Sequence, residues 1–422
     1  MCFNTQLPDI HHILTSCKID KIYQLGDSIA DTGNRIIENP LDACSRLPYG
    51  ESVSLGPTGR CSDGLLMIDY IALAAGIPML NPYLKGKANF THGVNFAVGG
   101  STALSANTLA EKNIMLSGTK SSLGVQLDWM STYFDSYCNA DIDCIPGSLE
   151  NALFMVGEIG GNDYNYALAQ GKTTEEAQNM VPEVVEMIKG AVRKVIGLGA
   201  TQVIVPGNFP IGCFPMPLTM FKSNNKSAYD EHQCLRELNN FAAFHNEYLQ
   251  QAIITLQEEN PAITIVYGDY YNAFKWLLYN APHIGINATS TLEGCCGNIG
   301  SSSFSAEGCG SSNVRVCLHP DQFISWDGVH LTQVAYSALS KWLVADIIPK
   351  LNCSPLLNCI WFLVHCGASW FSTCVACPPS IMVSIDTRYF PLQTPGAAPV
   401  TCPLKQKPPS SVLQNLHAVQ NQ

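Results

Sequence analysis

A serine near the amino terminus and an aspartate–histidine pair near residue 330 are the side chains best suited to chemistry. Ser28 ends the turn sequence GDS, directly after the short apolar segment 22–25. Asp327 lies three residues before His330, in the sequence WDGVH. A serine hydroxyl becomes a strong nucleophile when an imidazole accepts its proton and a carboxylate orients that imidazole. These three side chains predict a serine hydrolase.

Ser28 also has a purely structural interpretation. A serine after a turn often caps the following helix, and this alternative stays open on the serine alone. The surrounding sequence is not the G-x-S-x-G elbow, because Ala30 occupies the position of the second glycine. The usual α/β-hydrolase fold is therefore disfavoured. A serine at the carboxyl end of a strand nevertheless lies where open α/β sheets bind ligands.

His330 is the best candidate base among ten histidines. Thr332 can cap the amphipathic segment 334–344, which places Asp327 and His330 together in a loop that enters a helix. The alternative is a capping loop with a surface histidine. His245 lies on the apolar stripe of a predicted helix and is interpreted as a packed residue.

Two glycine-rich segments offer donors for a negatively charged oxygen. The sequence NFAVGGS contains Gly100, whose backbone N–H a ligand can approach closely. The sequence GGND, which follows the apolar segment 153–156, contains the side-chain amide of Asn162. Acyl transfer needs such donors aimed at the developing oxyanion. Taken singly, each segment is equally well explained as an ordinary turn.

The segments GDS…N, NFAVGGS, GGND and WDGVHLT, in this order, resemble the four sequence blocks of the GDSL esterase/lipase family, also called SGNH hydrolases. The flanking sequences PYGE and PTGRCSDG resemble the plant branch of that family. The resemblance covers residues 19–353. It implies an α/β fold, a flavodoxin-like three-layer α/β/α sandwich with a mostly parallel central sheet.

The resemblance also implies roles for five residues. Ser28 matches the nucleophile, and its own N–H joins the oxyanion hole. Gly100 and Asn162 match the other two oxyanion-hole donors. His330 matches the base and Asp327 its orienting partner, so a complete catalytic set is expected.

One assignment has an alternative and one position departs from the family. Gly100 is chosen by its place after NFAV, and its neighbour Gly99 is the alternative. Ala30 stands where the family often has serine or threonine, a change that does not touch the chemistry. No catalytic position is lost.

Composition excludes several other classes of protein. The chain has 422 residues, of which 46% are hydrophobic, enough for one large core. Its net charge of −11 argues against nucleic-acid binding. Walker A, HExxH and EF-hand patterns do not occur, so we predict no metal and no cofactor. The expected partner is a small-molecule ester, while the sequence leaves oligomeric state open and offers no firm sign of membrane binding.

The cysteines and glycosylation sequons indicate an oxidising compartment. Eighteen cysteines are many for a cytosolic enzyme. Sequons begin at Asn89, Asn225, Asn287 and Asn352. Segment 1–20 lacks the basic and apolar regions of a signal peptide. We expect a secreted or vacuolar glycoprotein whose true start is missing, with an intracellular variant as the alternative.

Several cysteines are close enough in sequence to pair. Cys44 with Cys61 and Cys138 with Cys144 are candidate loop-closing disulfides. A further cluster lies in a glycine/serine-rich stretch and is expected to form disulfides or packed thiols rather than a zinc site. Its members are Cys295, Cys296, Cys309 and Cys317.

Three regions are expected along the chain. Residues 1–18 form an N-terminal segment, 19–353 the hydrolase domain and 354–422 an atypical tail. No charged residue occurs from 352 to 385. A membrane span, a zinc site and a glycolipid-anchor signal are weaker interpretations of this tail than a disordered or mistranslated one, because polar residues interrupt the apolar run and a long polar end follows it.

Within the domain, strands and helices are expected to alternate, as in a parallel sheet covered by helices. A capping box at 173–176 should begin a helix, and Pro182 should interrupt or restart it. The predicted strands are 22–25, 153–156, 202–205 and 263–267, and the predicted helices are 64–75, 123–137, 229–257 and 334–344.

The expected activity is hydrolysis of carboxylic esters through an acyl-serine intermediate. Resemblance to the branch with alkaloid and phenolic esterases favours small acyl or phenolic and alkaloid esters over long-chain lipids. An acyltransferase, in which an alcohol accepts the acyl group, uses the same triad and stays open. A third alternative is a non-catalytic secreted binding glycoprotein that retains the fold.

Overall fold

A computed structural model describes residues 13–53, 56–140, 149–297, 308–312, 314–351 and 353. These residues fall within one compact unit. The tail at 354–422, the sequon at Asn352 and the Cys138–Cys144 pair involve residues outside the described part. Among the described helices, none is long and apolar enough to cross a membrane.

Five parallel strands form the central sheet, in the spatial order β2-β1-β3-β4-β5. This is the flavodoxin-like strand order. The strands read as nearly continuous apolar runs because both faces of the sheet are covered. They are β1 (Lys21–Leu25), β2 (Gly93–Asn95), β3 (Ala152–Val156), β4 (Gln202–Pro206) and β5 (Thr264–Gly268). A two-stranded antiparallel ribbon adds β6 (Cys296–Gly297) and β7 (Arg315–Val316).

Helices cover both faces of the sheet and complete three layers. Alternate strand residues separate into two cores, with Leu153 in one and Phe154 in the other. The helices are α1 (Asn34–Glu38), α2 (Met67–Ala75), α3 (Ala106–Glu111), α4 (Leu123–Ala140), α5 (Gly161–Ala169), α6 (Thr174–Gln178), α7 (Val181–Gly197), α8 (Pro215–Met220), α9 (Arg236–Glu259), α10 (Tyr270–Asn280) and α11 (Gln333–Ile347). Helices α2, α10 and α11 bury their apolar residues in the first core, and α4, α7 and α9 in the second. The predicted α/β/α sandwich is confirmed.

Local capping signals in the sequence are confirmed. Thr173 and Glu176 form a capping box at the start of α6. Pro182 lies in the first turn of the separate helix α7. Thr332 caps α11 by accepting a hydrogen bond from the N–H of Ala335.

Two predicted helix starts are wrong. The helix predicted at 229–257 begins only at Arg236, because Cys234 is joined to Cys213 and the N–H of Leu235 donates to the carbonyl of Gly212. The helix predicted from residue 64 begins at Met67. Tertiary hydrogen bonds hold the residues before it in a non-helical conformation, as the bond from the Leu65 N–H to Gln333 Oε1 shows.

Five disulfides occur among the described residues, and two of them resolve the predicted cysteine cluster. Cys44 pairs with Cys61, as predicted. The complete set is Cys17–Cys353, Cys44–Cys61, Cys213–Cys234, Cys295–Cys317 and Cys296–Cys309. The first bond joins positions 336 residues apart. It ties the short 3₁₀ helix Ile13–Cys17, which packs in the core, to the end of the domain.

His245 is buried where α9 packs in the second core, as predicted. Its burial should make the stability of the protein depend on pH in the acid range. Tyr164 Oη lies 2.8 Å from its Nδ1, and within the described chain its buried Nε2 has no partner. Burial lowers the pKa of His245 to about 4. The imidazole of the unfolded chain titrates near pH 6.5. Above that pH it is neutral in both the folded and the unfolded state, so it does not lower the free energy of unfolding. As pH falls from 6.5 to 4, His245 should remove roughly 3 kcal/mol.

The measurement is denaturant unfolding of the disulfide-intact protein between pH 7.5 and 4.5. His245→Asn keeps a polar partner near Tyr164 and removes the titration, so its free energy of unfolding should fall less steeply with acid. Buried carboxyl groups with raised pKa values, such as Asp31, give the opposite slope, but they do so equally in both proteins. Parallel pH curves for wild type and variant would contradict this role.

Candidate active site

The segments singled out from the sequence meet at the carboxyl edge of the sheet. The GDS turn follows β1, the NFAVGGS segment runs on from β2, and the GGND segment follows β3. A pocket at this edge has Ser28 and Asn162 in its lining. Gly328 and Val329, which precede His330, line the same pocket. Ligands bind at this edge in open α/β sheets.

Asp327 and His330 form a closely hydrogen-bonded pair. Nδ1 of His330 lies 2.6 Å from Oδ2 of Asp327. Oδ1 of the same carboxylate accepts the backbone N–H groups of Val329 and His330, at 3.0 and 2.8 Å. These bonds leave Nε2 as the free nitrogen of the ring and fix the plane of the imidazole.

The two partners shift each other's pKa values in opposite directions. Burial on its own would raise the pKa of Asp327, but the charge and hydrogen bonds of His330 hold it below the usual range. Burial on its own would lower the pKa of His330, but Asp327 raises it above the ordinary value, with a smaller contribution from Asp27. Asp327 is therefore a carboxylate that stabilises the protonated imidazole.

Tyr49 is a third member of this group that sequence reasoning missed. Its hydroxyl donates to Oδ2 of Asp327 at 2.9 Å, and its ring contacts Trp326 edge-on. The sequence PYGE marked this position only as part of a family resemblance. Nothing in local periodicity connects it to a carboxylate 278 residues away.

A buried glutamine stabilises the turn that carries Ser28 through two hydrogen bonds to its backbone. Gln126 accepts the N–H of Gly26 and donates to its carbonyl, both at 2.8 Å. Gly26 has φ +148°, which a residue with a side chain rarely adopts. Within the described chain, the N–H and hydroxyl of Ser28 have no hydrogen-bond partner, and Ser28 does not cap a helix. No hydrogen bond joins Ser28 to His330 among these residues.

The backbone N–H groups of the two candidate glycines differ in their hydrogen bonding to Asp31. Its Oδ2 accepts the N–H of Gly99 at 2.8 Å and that of Arg35 at 2.9 Å. The N–H of Gly100 has no acceptor in the described residues, and Gly100 has a left-handed φ of +83°. Gly100 is therefore the glycine with an available donor, while Gly99 is occupied.

Asn162 lies in the first turn of α5 and its amide is already bonded. Nδ2 donates to Oδ2 of Asp27 at 3.1 Å and to the carbonyl of Ser101 at 3.0 Å. Burial raises the pKa of Asp27 to about 8; the hydrogen bond from the Ile29 N–H opposes the shift. These two bonds fix the position of the Asn162 side-chain amide next to the turn that carries Ser28.

The three described sequons lie at the surface. Asn89, Asn225 and Asn287 are exposed. In each, Oδ1 of the asparagine accepts the hydroxyl two residues later. The geometry therefore leaves these positions accessible for modification.

A flavodoxin-like sheet with a hydrogen-bonded Asp–His pair and a glycine-rich loop at its carboxyl edge is typical of SGNH-type hydrolases. Residues 22–343 match the family model described as GDSL-like Lipase/Acylhydrolase. The chain belongs to this family and is a carboxylic-ester hydrolase.

The chain is similar to several named plant enzymes. It is 45% identical over 343 residues to acetylajmalan esterase 1 of Rauvolfia serpentina, an alignment that covers 80% of this chain and 89% of the relative. Acetylajmalan esterase 2 of the same plant is 44% identical, over 81% and 94%. An Arabidopsis thaliana GDSL esterase/lipase is 41% identical, over 81% and 94%.

Proposed function

We propose that the protein is a serine esterase in which Ser28 is the nucleophile and His330 the base. The observation that carries this proposal is the Asp327–His330 hydrogen bond next to a pocket lined by Ser28 and Asn162. His330 Nε2 accepts the proton of Ser28 as Oγ attacks the ester carbonyl. Asp327 stabilises the imidazolium that results.

The oxyanion is bound by the N–H groups of Ser28 and Gly100 and by the Asn162 amide. The first two donors have no competing acceptor within the described chain. Asn162 shares one of its hydrogens between the oxyanion and Asp27 or Ser101. His330 gives the proton taken from Ser28 to the departing oxygen, so that the alcohol leaves. It then accepts a proton from the water that attacks the acyl-serine and returns this proton to Ser28 as the acid is released.

We further propose that the substrates are small esters, such as acylated alkaloids or phenolic esters, rather than long-chain lipids. The pocket is small, with a cavity volume of about 80 Å³, which supports a small substrate. Its walls are mainly apolar, with Ile29, Phe209 and Phe214 among the lining residues. The relatives named as acetylajmalan esterases support the same substrate class.

We also propose an extracellular or vacuolar location with glycans on Asn89, Asn225 and Asn287. Five disulfides among the described residues support an oxidising compartment. The surface positions of the three asparagines support modification. Peptide mapping of protein from a secretory host should show glycans at these sites, and unmodified peptides at all three would contradict the proposal.

The proposal as a whole is tested with p-nitrophenyl acetate and an organophosphate probe on glycosylated, disulfide-bonded protein. The probe should attach to Ser28 and abolish hydrolysis. Product analysis with added alcohols distinguishes hydrolysis from acyl transfer, since an acyltransferase would form the new ester in preference to free acid. A folded protein that neither hydrolyses the ester nor reacts with the probe would favour the binding-protein alternative.

A further inference from the structure

The pocket beside Ser28 carries acidic side chains and no basic one. Glu158 and Asp27 both belong to its lining, which contains no lysine, arginine or histidine. Among the residues that the structure describes, neither acid forms an ion pair with a basic side chain. Burial raises the pKa of Asp27 to about 8, and Asp27 also interacts electrostatically with His330. Glu158 is therefore the acid of this pocket without a nearby basic side chain among the described residues. A carboxylate in such a position attracts a cationic ligand.

Glu158 is held in a fixed position with hydrogen-bonding capacity to spare. Tyr270 Oη donates to Oε1 at 2.5 Å, and Gln24 Nε2 donates to Oε2 at 3.1 Å. A carboxylate has about four lone-pair positions, so each oxygen can accept a further partner. Gly26 leaves space for this side chain, because a Cβ there would lie 3.3 Å from Oε2.

The free protein bears a cost for this carboxylate that a bound cation would relieve. Burial raises the pKa of Glu158, against the opposing effect of the Tyr270 and Gln24 hydrogen bonds. An opposite charge placed nearby favours the ionised carboxylate. A cationic ligand would therefore bind more tightly than a neutral one of the same shape.

The remaining walls suit an ammonium group that carries alkyl substituents. Tyr270 and Phe209 pack with ring centroids 5.1 Å apart, and both line the pocket. Aromatic faces attract alkylammonium ions and also contact their apolar substituents. Ile159 and Val329 add apolar surface.

We propose that Glu158 binds a cationic ammonium group of the substrate, so that the enzyme prefers positively charged esters over neutral esters of the same shape. The inference rests on the proposed function, because it requires Ser28 to be the nucleophile of this pocket. Glu158 thereby acts in substrate selection, and no proton transfer is assigned to it.

The test compares acetylcholine with 3,3-dimethylbutyl acetate, in which a carbon atom replaces the charged nitrogen. In the wild type, kcat/KM should be at least about tenfold higher for acetylcholine. Glu158→Gln keeps the shape and most hydrogen bonds but removes the charge, so this ratio should fall about tenfold towards one. The matched control is Glu258→Gln, on the exposed end of α9 at the opposite edge of the sheet, which should keep the wild-type ratio.

Each other outcome has a defined meaning. A wild-type ratio of one or less, or an unchanged ratio in Glu158→Gln, overturns the cation proposal. Absence of Ser28-dependent hydrolysis of the neutral ester overturns the proposed function itself. If Glu158→Gln hydrolyses neither ester, a second measurement on the wild type tests the proposal. Tetramethylammonium should inhibit hydrolysis of the neutral ester competitively at a lower concentration than 3,3-dimethyl-1-butanol does. Equal inhibition by the two compounds overturns the proposal.

Discussion

Ser28→Ala is expected to lower kcat for p-nitrophenyl acetate by about 10⁴-fold or more. The alanine variant has no hydroxyl to attack the carbonyl, so the acyl-enzyme route is closed. The oxyanion donors and the pocket remain, and they should leave a small activity above that of water. The measurement is steady-state hydrolysis by both proteins at matched concentration, with folding checked by thermal unfolding.

Ser136→Ala is the matched control for this substitution. Ser136 lies on the exposed face of α4, where its hydroxyl donates to the carbonyl of Tyr133. This variant should keep wild-type turnover and react with the organophosphate probe. Equal activity of folded Ser28→Ala and wild type would eliminate Ser28 as the nucleophile.

His330→Ala should cause a loss similar to that of Ser28→Ala, because it removes the only proposed proton acceptor. Asp327→Asn should cost roughly ten- to hundredfold less, since the imidazole remains although its orientation and charge stabilisation are weakened. Both losses should appear in kcat more than in KM, because these groups act on the transition state. A larger loss in Asp327→Asn than in His330→Ala would contradict the assigned roles.

The pH profile of the same variants separates orientation from charge. His330 accepts a proton only when neutral, so kcat/KM should fall as pH drops below its pKa. Asp327 raises that pKa despite burial, which places the acid limb of the wild-type profile above pH 6.5. Asp327→Asn should move this limb to lower pH, because burial then acts without the opposing carboxylate.

Tyr49→Phe is the control for that shift. It removes the hydroxyl that donates to Asp327 and keeps the carboxylate charge. The loss in kcat/KM should be less than about tenfold, and the acid limb should stay above pH 6.5. A limb at the same pH in wild type and Asp327→Asn would show that a group other than His330 controls it.

Much of the fold was predictable because its signals are local. Short apolar runs ended by glycine-rich turns identify β1 and β3, and the alternation of strands and helices indicates a parallel sheet. The Thr173–Glu176 capping box and the Thr332 cap involve residues three positions apart, so they are visible in sequence. The start of α9 was misplaced because the Cys213–Cys234 bond, rather than local propensity, sets it.

The sequence by itself determined which residue types follow which strands, and with them the α/β class and the candidates Ser28, Asn162, Asp327 and His330. Only the tertiary structure decided how those groups are supported. It brings the Tyr49 hydroxyl to Asp327 and bonds the N–H of Gly99 to Asp31. It leaves the N–H of Gly100 without an acceptor among the described residues. Such contacts join residues that are tens to hundreds of positions apart. These contacts form because buried polar groups must find hydrogen-bond partners in the folded chain. The periodicity of the sequence does not indicate which groups will pair.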